Sequence, residues 1–226
     1  MKTKMSPLSK LYVALIMLFL YAPIVVMIVF SFNDSASTSV ISGFSLRWYE
    51  SLLHDEGTMK ALSNTLILAV TSSLTATVMG TAAAVGISAF RNKYIKKVTM
   101  GVTNIPMMNP EIVTGISMML LFVFCANLIG KTDALGFGTM LIAHVTFNLP
   151  YVILSVLPKL RQLDKYLPEA AMDLGCTPRQ AFFKVTLHEI MPGIVSGAIM
   201  AFTMSLDDFV ISYFVYGPRF ITLPVE

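Results

Sequence analysis

The chain has 226 residues, of which 55% are hydrophobic and 13% charged, against roughly 25% charged in a typical soluble domain. With a mean hydropathy of +0.73, it cannot bury that much apolar side chain and still show water a polar surface. This excludes a soluble globular enzyme, a nucleic-acid binder and a disordered chain, and leaves an integral membrane protein. The net charge of +3 says less than where the basic residues fall, and two cysteines, Cys125 and Cys176, make no disulfide framework.

Five stretches reach the roughly 20 apolar residues that a spanning helix needs. In chain order they are 11–32, 62–90, 98–126, 140–157 and 193–216. The fold class expected is therefore all-α, a polytopic helical bundle in one transmembrane domain, 1–226. The first stretch follows Lys2, Lys4 and Lys10 as a secretory signal would, but it is too long for a signal core and no small-residue cleavage site follows. It reads as an uncleaved span. The second holds Gly80, Ala84 and Ser88 at four-residue spacing, which suits close helix packing.

Lys and Arg in short loops set orientation. If the spans alternate, 12 of the 16 basic residues fall on one side: Lys2, Lys4 and Lys10; Arg91, Lys93, Lys96 and Lys97; and Lys159, Arg161, Lys165, Arg179 and Lys184. The other side receives Arg47, Lys60, Lys131 and Arg219. The N-terminus is then cytoplasmic, and the 33–60 loop and the chain end lie outside. Cys125 and Cys176 fall on opposite sides, which excludes a disulfide between them. An odd span count ending outside leads us to expect a sixth span beyond this sequence.

The cytoplasmic loop, 159–192, is too organised for a mere connection. Pro168 suits a helix start, Gly175 a helix stop, and Thr177-Pro178-Arg179-Gln180 a capping box opening a second helix. Ala181, Phe182, Val185 and Leu187 face one way along it. A helix, glycine turn and helix serve either as an amphipathic hairpin on the membrane surface or as a dock for a cytoplasmic partner.

Three carboxylates sit inside apolar stretches: Glu111, Asp207 and Asp208. A central Asp costs roughly 2.5–3.5 kcal/mol on insertion scales, so such groups are functional or paired. Adjacent Asp207 and Asp208 point about 100° apart on a continuous helix. They line a cation path, or they are protonated or bonded to backbone that Pro106 and Pro110 free. His144 has no visible metal partners and suits a helix-packing hydrogen bond. Trp48 and Tyr49 read either as interfacial anchors or as contacts for an entering solute or an external protein.

The segment Glu169-Ala170-Ala171-Met172-Asp173-Leu174-Gly175, with Val185, Leu187 and Pro192 after it, resembles the EAA loop of ATP-binding-cassette importer permeases. Arg47-Trp48-Tyr49, Met108-Asn109-Pro110-Glu111, Ala143 to Phe147 and Ser205-Leu206-Asp207-Asp208 resemble the PotC-type permease subunits of spermidine/putrescine importers. The resemblance covers 11–226. His188 stands where the family has a proline, so the break between hairpin and last span falls to Pro192. The resemblance implies a type I importer permease fold in a bacterial inner membrane. It implies a second homologous permease subunit, an ATPase dimer holding ATP and magnesium, an extracytoplasmic polyamine-binding protein, and no cofactor, metal or nucleic acid in this chain. Glu169, Ala170, Ala171, Asp173 and Gly175 would couple to the ATPase. Glu111, Asp207, Asp208, Trp48 and Tyr49 would lie on the substrate path. No Walker-type glycine loop is present. Another small solute is the alternative cargo. An intramembrane protease is the alternative class, although adjacent aspartates in one helix do not make a dyad.

Overall fold

A computed structural model describes residues 6–35, 40, 42–90, 92–130, 135–164, 166–218 and 220–226. Lys2, Lys4, Arg91, Lys131, Lys165 and Arg219, on which part of the orientation argument rests, lie outside the described residues. The chain forms two compact units, Met1–Met59 and Lys60–Glu226.

In the first unit, α1 (Pro7–Ser31) starts at Ser6, whose hydroxyl accepts the Ser9 N–H, and Pro7 suits the first helical position. From Leu11 to Phe30 its sequence is almost wholly apolar, which suits a helix in lipid. Beyond it, Asn33 organises a loop: its side chain accepts the Ser42 N–H at 2.9 Å and donates to the Val40 carbonyl at 2.7 Å. A short helix, α2 (Arg47–His54), follows.

The second unit holds most of α3 (Glu56–Ala89), then α4 (Lys93–Met108), α5 (Glu111–Ile129), α6 (Phe137–Gln162), α7 (Tyr166–Asp173), α8 (Pro178–Ala181), α9 (Leu187–Leu206) and α10 (Val210–Val215). Among the described residues, five stretches are long and apolar enough to cross a membrane: Pro7–Ser31, Glu56–Ala89, Glu111–Ile129, Phe137–Gln162 and Pro178–Leu206. Helix α6 is the core of this unit, with His144, Asn148, Val152 and Val156 buried at four-residue spacing. Small residues let its neighbours approach. A Cβ on Gly80 of α3 would meet Val152 at 2.7 Å. One on Gly193 of α9 would meet the Ser155 carbonyl at 2.9 Å, and one on Gly197 the Val152 Cα at 3.2 Å. The predicted Gly80–Ala84 stripe is buried, while Ser88 is half-buried and bonds back to the Val85 carbonyl.

Two predicted spans are broken, and one predicted break is missing. The 98–126 span divides into α4 and α5 at Asn109–Pro110. Proline biases the residue before it away from helix, and Asn109 sits extended at φ −80°, ψ 141°. The 193–216 span divides at Asp207–Phe209, so the two aspartates do not share a helix. By contrast, Pro192 does not interrupt the chain. The second hairpin arm runs from Pro178 through a wider π-turn at Phe182–Thr186 into α9 without a stop.

Candidate functional site

The hairpin is built locally. Asp164 accepts the Tyr166 N–H, so α7 opens two residues before Pro168. It ends where Cys176 N–H reaches the Ala171 carbonyl and Gly175 N–H the Met172 carbonyl. Such an end needs one left-handed residue, and Gly175 supplies it at φ +89°. The Thr177–Gln180 capping box then forms in both directions, at 2.9 and 3.4 Å. Glu169, Ala170, Asp173 and Gly175 are exposed, and Leu174 stands 87% exposed at the tip. Ala171 instead turns inward and is buried. One face of α7 packs on the second arm, and Ala171 is on it. Ala181 on that arm is buried too, with Phe182, Val185 and Leu187 partly so, as the pattern predicts.

The three acids part company. Glu111 is exposed in the first turn of α5, directly after the break, where a carboxylate suits the positive end of the helix dipole. On α6, Tyr151 meets Phe147 edge-on at 5.5 Å between ring centroids. Asp207 ends α9 and is exposed. Asp208 is buried, and its carboxylate accepts the backbone N–H groups of Ser212 at 2.8 Å and Ile211 at 3.4 Å. It satisfies donors that the start of α10 would otherwise leave bare.

His144 braces that second break. Its Nδ1 shares a hydrogen bond with Ser205 at the end of α9 at 2.7 Å, and its Nε2 with Ser212 of α10 at 3.1 Å. The Asp208 carboxylate lies 3.5 Å away, and Ser205 bonds onward to Ser72 of α3 at 2.9 Å. The predicted packing hydrogen bond is present, but as the centre of a buried network. The signal available was Ser205 and Ser212 seven residues apart, either side of two aspartates. Beyond α10, the segment 220–226 ties to α3 through Asn64 donating to the Ile221 carbonyl and Leu223 N–H donating to Thr65.

Trp48 and Tyr49 belong to the first unit. The Trp48 indole donates to the Asn33 carbonyl at 2.9 Å, and Tyr49 shares a hydrogen bond with Ser31 at 2.8 Å and packs on Phe32. Both polar tips are satisfied within that unit, while each ring keeps about two-fifths of its surface exposed.

Residues 76–225, which carry the hairpin and all three acids, match the model of the binding-protein-dependent transport system inner membrane component family. The chain belongs to that family. The chain is 43% identical over 207 residues to the putrescine transport system permease protein PotI of Escherichia coli K12, covering 92% of this chain and 74% of that protein. It is 36% identical over 208 residues to the spermidine/putrescine transport system permease protein PotC of the same strain, covering 92% and 76%. PotC of Haemophilus influenzae is 35% identical, covering 92% and 78%. This member of the inner membrane component family is thus a multi-pass, all-helical transport permease.

Proposed function

We propose that the chain is a permease subunit of an ATP-driven importer that carries polyamines, spermidine or putrescine, into the cell. The observation that carries this reading is a pair of exposed carboxylates, Glu111 and Asp207, each at a break in an apolar helix. No Lys or Arg occurs in α5, α9 or α10. Anions on a membrane path with no basic residue in the same helices favour a cationic cargo, and the similarity to PotI and PotC supports a polyamine as that cation.

In this reading the N-terminus and the hairpin lie in the cytoplasm of a bacterial inner-membrane complex. Glu169, Ala170, Asp173 and Gly175 meet a separate ATPase dimer, which holds ATP and magnesium. A second permease subunit completes the path, and an extracytoplasmic binding protein delivers the polyamine, with Trp48 and Tyr49 on the entry side. The continuous run Pro178–Leu206, ~44 Å long at 1.5 Å per residue, carries a displacement of the hairpin directly to Asp207. The test is ATP-dependent uptake of labelled spermidine and putrescine by the complete complex, with and without this chain. Uptake that persists unchanged without it overturns the reading.

A further inference from the structure

A groove of about 270 Å³ opens beside the α4–α5 break, at the small end of the roughly 300–1,000 Å³ typical of ligand sites. Pro106 and Asn109 form one end, Val113, Ser117 and Met118 of α5 one wall, and Phe147 of α6 the other. Thr114 and Thr146 also face it. It is an apolar channel with hydroxyls and an amide at intervals, and no lining residue is basic.

Three features of the break favour a cation there. Glu111 brings an exposed carboxylate. Helix α4 ends at Met108 with Ile105 accepting the Asn109 N–H, so the carbonyls of Pro106, Met107 and Met108 have no following turn to pair with. Pro106 has no N–H for the Val102 carbonyl either. In broken membrane helices such C-terminal carbonyl ends are suited to cations. Finally, Phe147 lends an aromatic face to the groove wall, which suits ammonium groups and their methylenes. The positive end of α5 opposes a cation, but more weakly than a charge-assisted hydrogen bond to Glu111 holds it.

We infer that this groove is a binding subsite for a short α,ω-diamine. One ammonium sits between Glu111 and the α4 carbonyl end, the methylenes lie along Val113, Met118 and Phe147, and the second ammonium reaches the hydroxyls of Thr114 and Ser117. Thr114 follows Glu111 by ~4.5 Å along the helix and Ser117 by ~9 Å, which brackets the charge separation of a short diamine. The inference rests on the polyamine reading and adds the residues that sense chain length.

The test uses the assembled transporter. Val113→Trp fills the groove from an exposed position, and Km for putrescine uptake should rise about tenfold at unchanged chain abundance. In a Cys125→Ser, Cys176→Ser background, Ser117→Cys should react with a small maleimide several-fold more slowly when putrescine is present, and at an unchanged rate with butylamine, which has one charge. Labelling indifferent to putrescine in a transporter that takes up putrescine overturns the subsite and spares the polyamine reading. So does a Val113→Trp complex with unaltered Km. If Val113→Trp fails to assemble, the labelling rate decides alone. An unsubstituted transporter that takes up neither putrescine nor spermidine overturns the polyamine reading, and this inference with it.

Discussion

At the α4–α5 break the Glu111 carboxylate stands exposed in the first turn of a helix, beside a groove with no basic residue. At the α9–α10 break Asp208 is buried, with two backbone N–H groups and His144 around it. Each is an acid in an apolar stretch, and the cost of desolvating it is met differently. Glu111 stands at an exposed surface, open to a solute. Asp208 spends its hydrogen-bonding oxygens on the start of α10. Its neighbour Asp207, one residue away, is exposed. An acid within a span is thus not a functional class by itself; its hydrogen-bond partners decide.

The largest expected effect comes from breaking the buried side. Asp208→Leu removes both hydrogen bonds and leaves buried donors bare, at about 1–3 kcal/mol for each. The chain should fall to a small fraction of its normal abundance in the membrane, with a lower melting temperature in detergent. Asp207→Asn should leave abundance unchanged and lower polyamine uptake. Equal abundance for the two variants would erase the distinction. His144→Phe should resemble Asp208→Leu more weakly, because it strands Ser205 and Ser212 but leaves the cap.

On the exposed side, Glu111→Gln keeps size and hydrogen-bonding capacity and loses the charge. Uptake should fall about tenfold, equivalent to ~1.4 kcal/mol, at normal abundance, and Glu111→Asp should keep more activity than Glu111→Gln. Uptake at the unsubstituted rate in Glu111→Gln would make this acid structural as well.

The hairpin was the most legible part of the sequence and the two breaks the least, for physical reasons. Thr177, Gln180 and Gly175 act on backbone groups within four residues of themselves, so local pattern suffices. The breaks lie in stretches that a hydropathy window smooths over. Pro110 announced the first only to a reader weighing the conformation of Asn109. The second depended on Asp208 finding N–H groups three and four residues ahead and on His144, sixty-four residues earlier, bridging the gap. Pro192 misled in the other direction: close packing of Gly193 and Gly197 on α6 holds α9 together across it. The inward turn of Ala171 depends likewise on a partner arm.

The hairpin turn gives a third kind of junction, made with no charge at all. Gly175 has open space around it but a left-handed backbone, so Gly175→Val meets strain rather than a clash, roughly 1–2 kcal/mol. Transport should drop through weakened retention of the ATPase while the chain stays in the membrane. Co-purification of the ATPase at the unsubstituted level, with full transport, would remove the hairpin from the coupling path. Glu169→Lys should weaken the same contact without touching the turn, which separates charge from backbone.

The smallest effect belongs to Asp55, the exposed counterpart of Asp208. It too caps a helix start: its carboxylate accepts the Thr58 hydroxyl and the Gly57 N–H ahead of α3. Those bonds, the hydroxyl's first, hold its carboxyl below the usual carboxylate range. A depressed acid stabilises the fold while ionised. Its contribution is therefore complete above the unfolded value, about 3.9, and is lost as pH falls through the lower folded value. At neutral pH it is fully present, so a change of pH between 8 and 6 should leave the start of α3 unaltered. Asp55→Ala should expose it at once. Hydrogen exchange at Gly57 and Thr58 should quicken several-fold in that variant, with uptake and abundance unchanged, because the side chain is in water and the fraying stops within a turn. If Asp55→Ala costs as much abundance as Asp208→Leu, burial is not what separates the two caps, and the contrast between wet and dry acids must be drawn elsewhere.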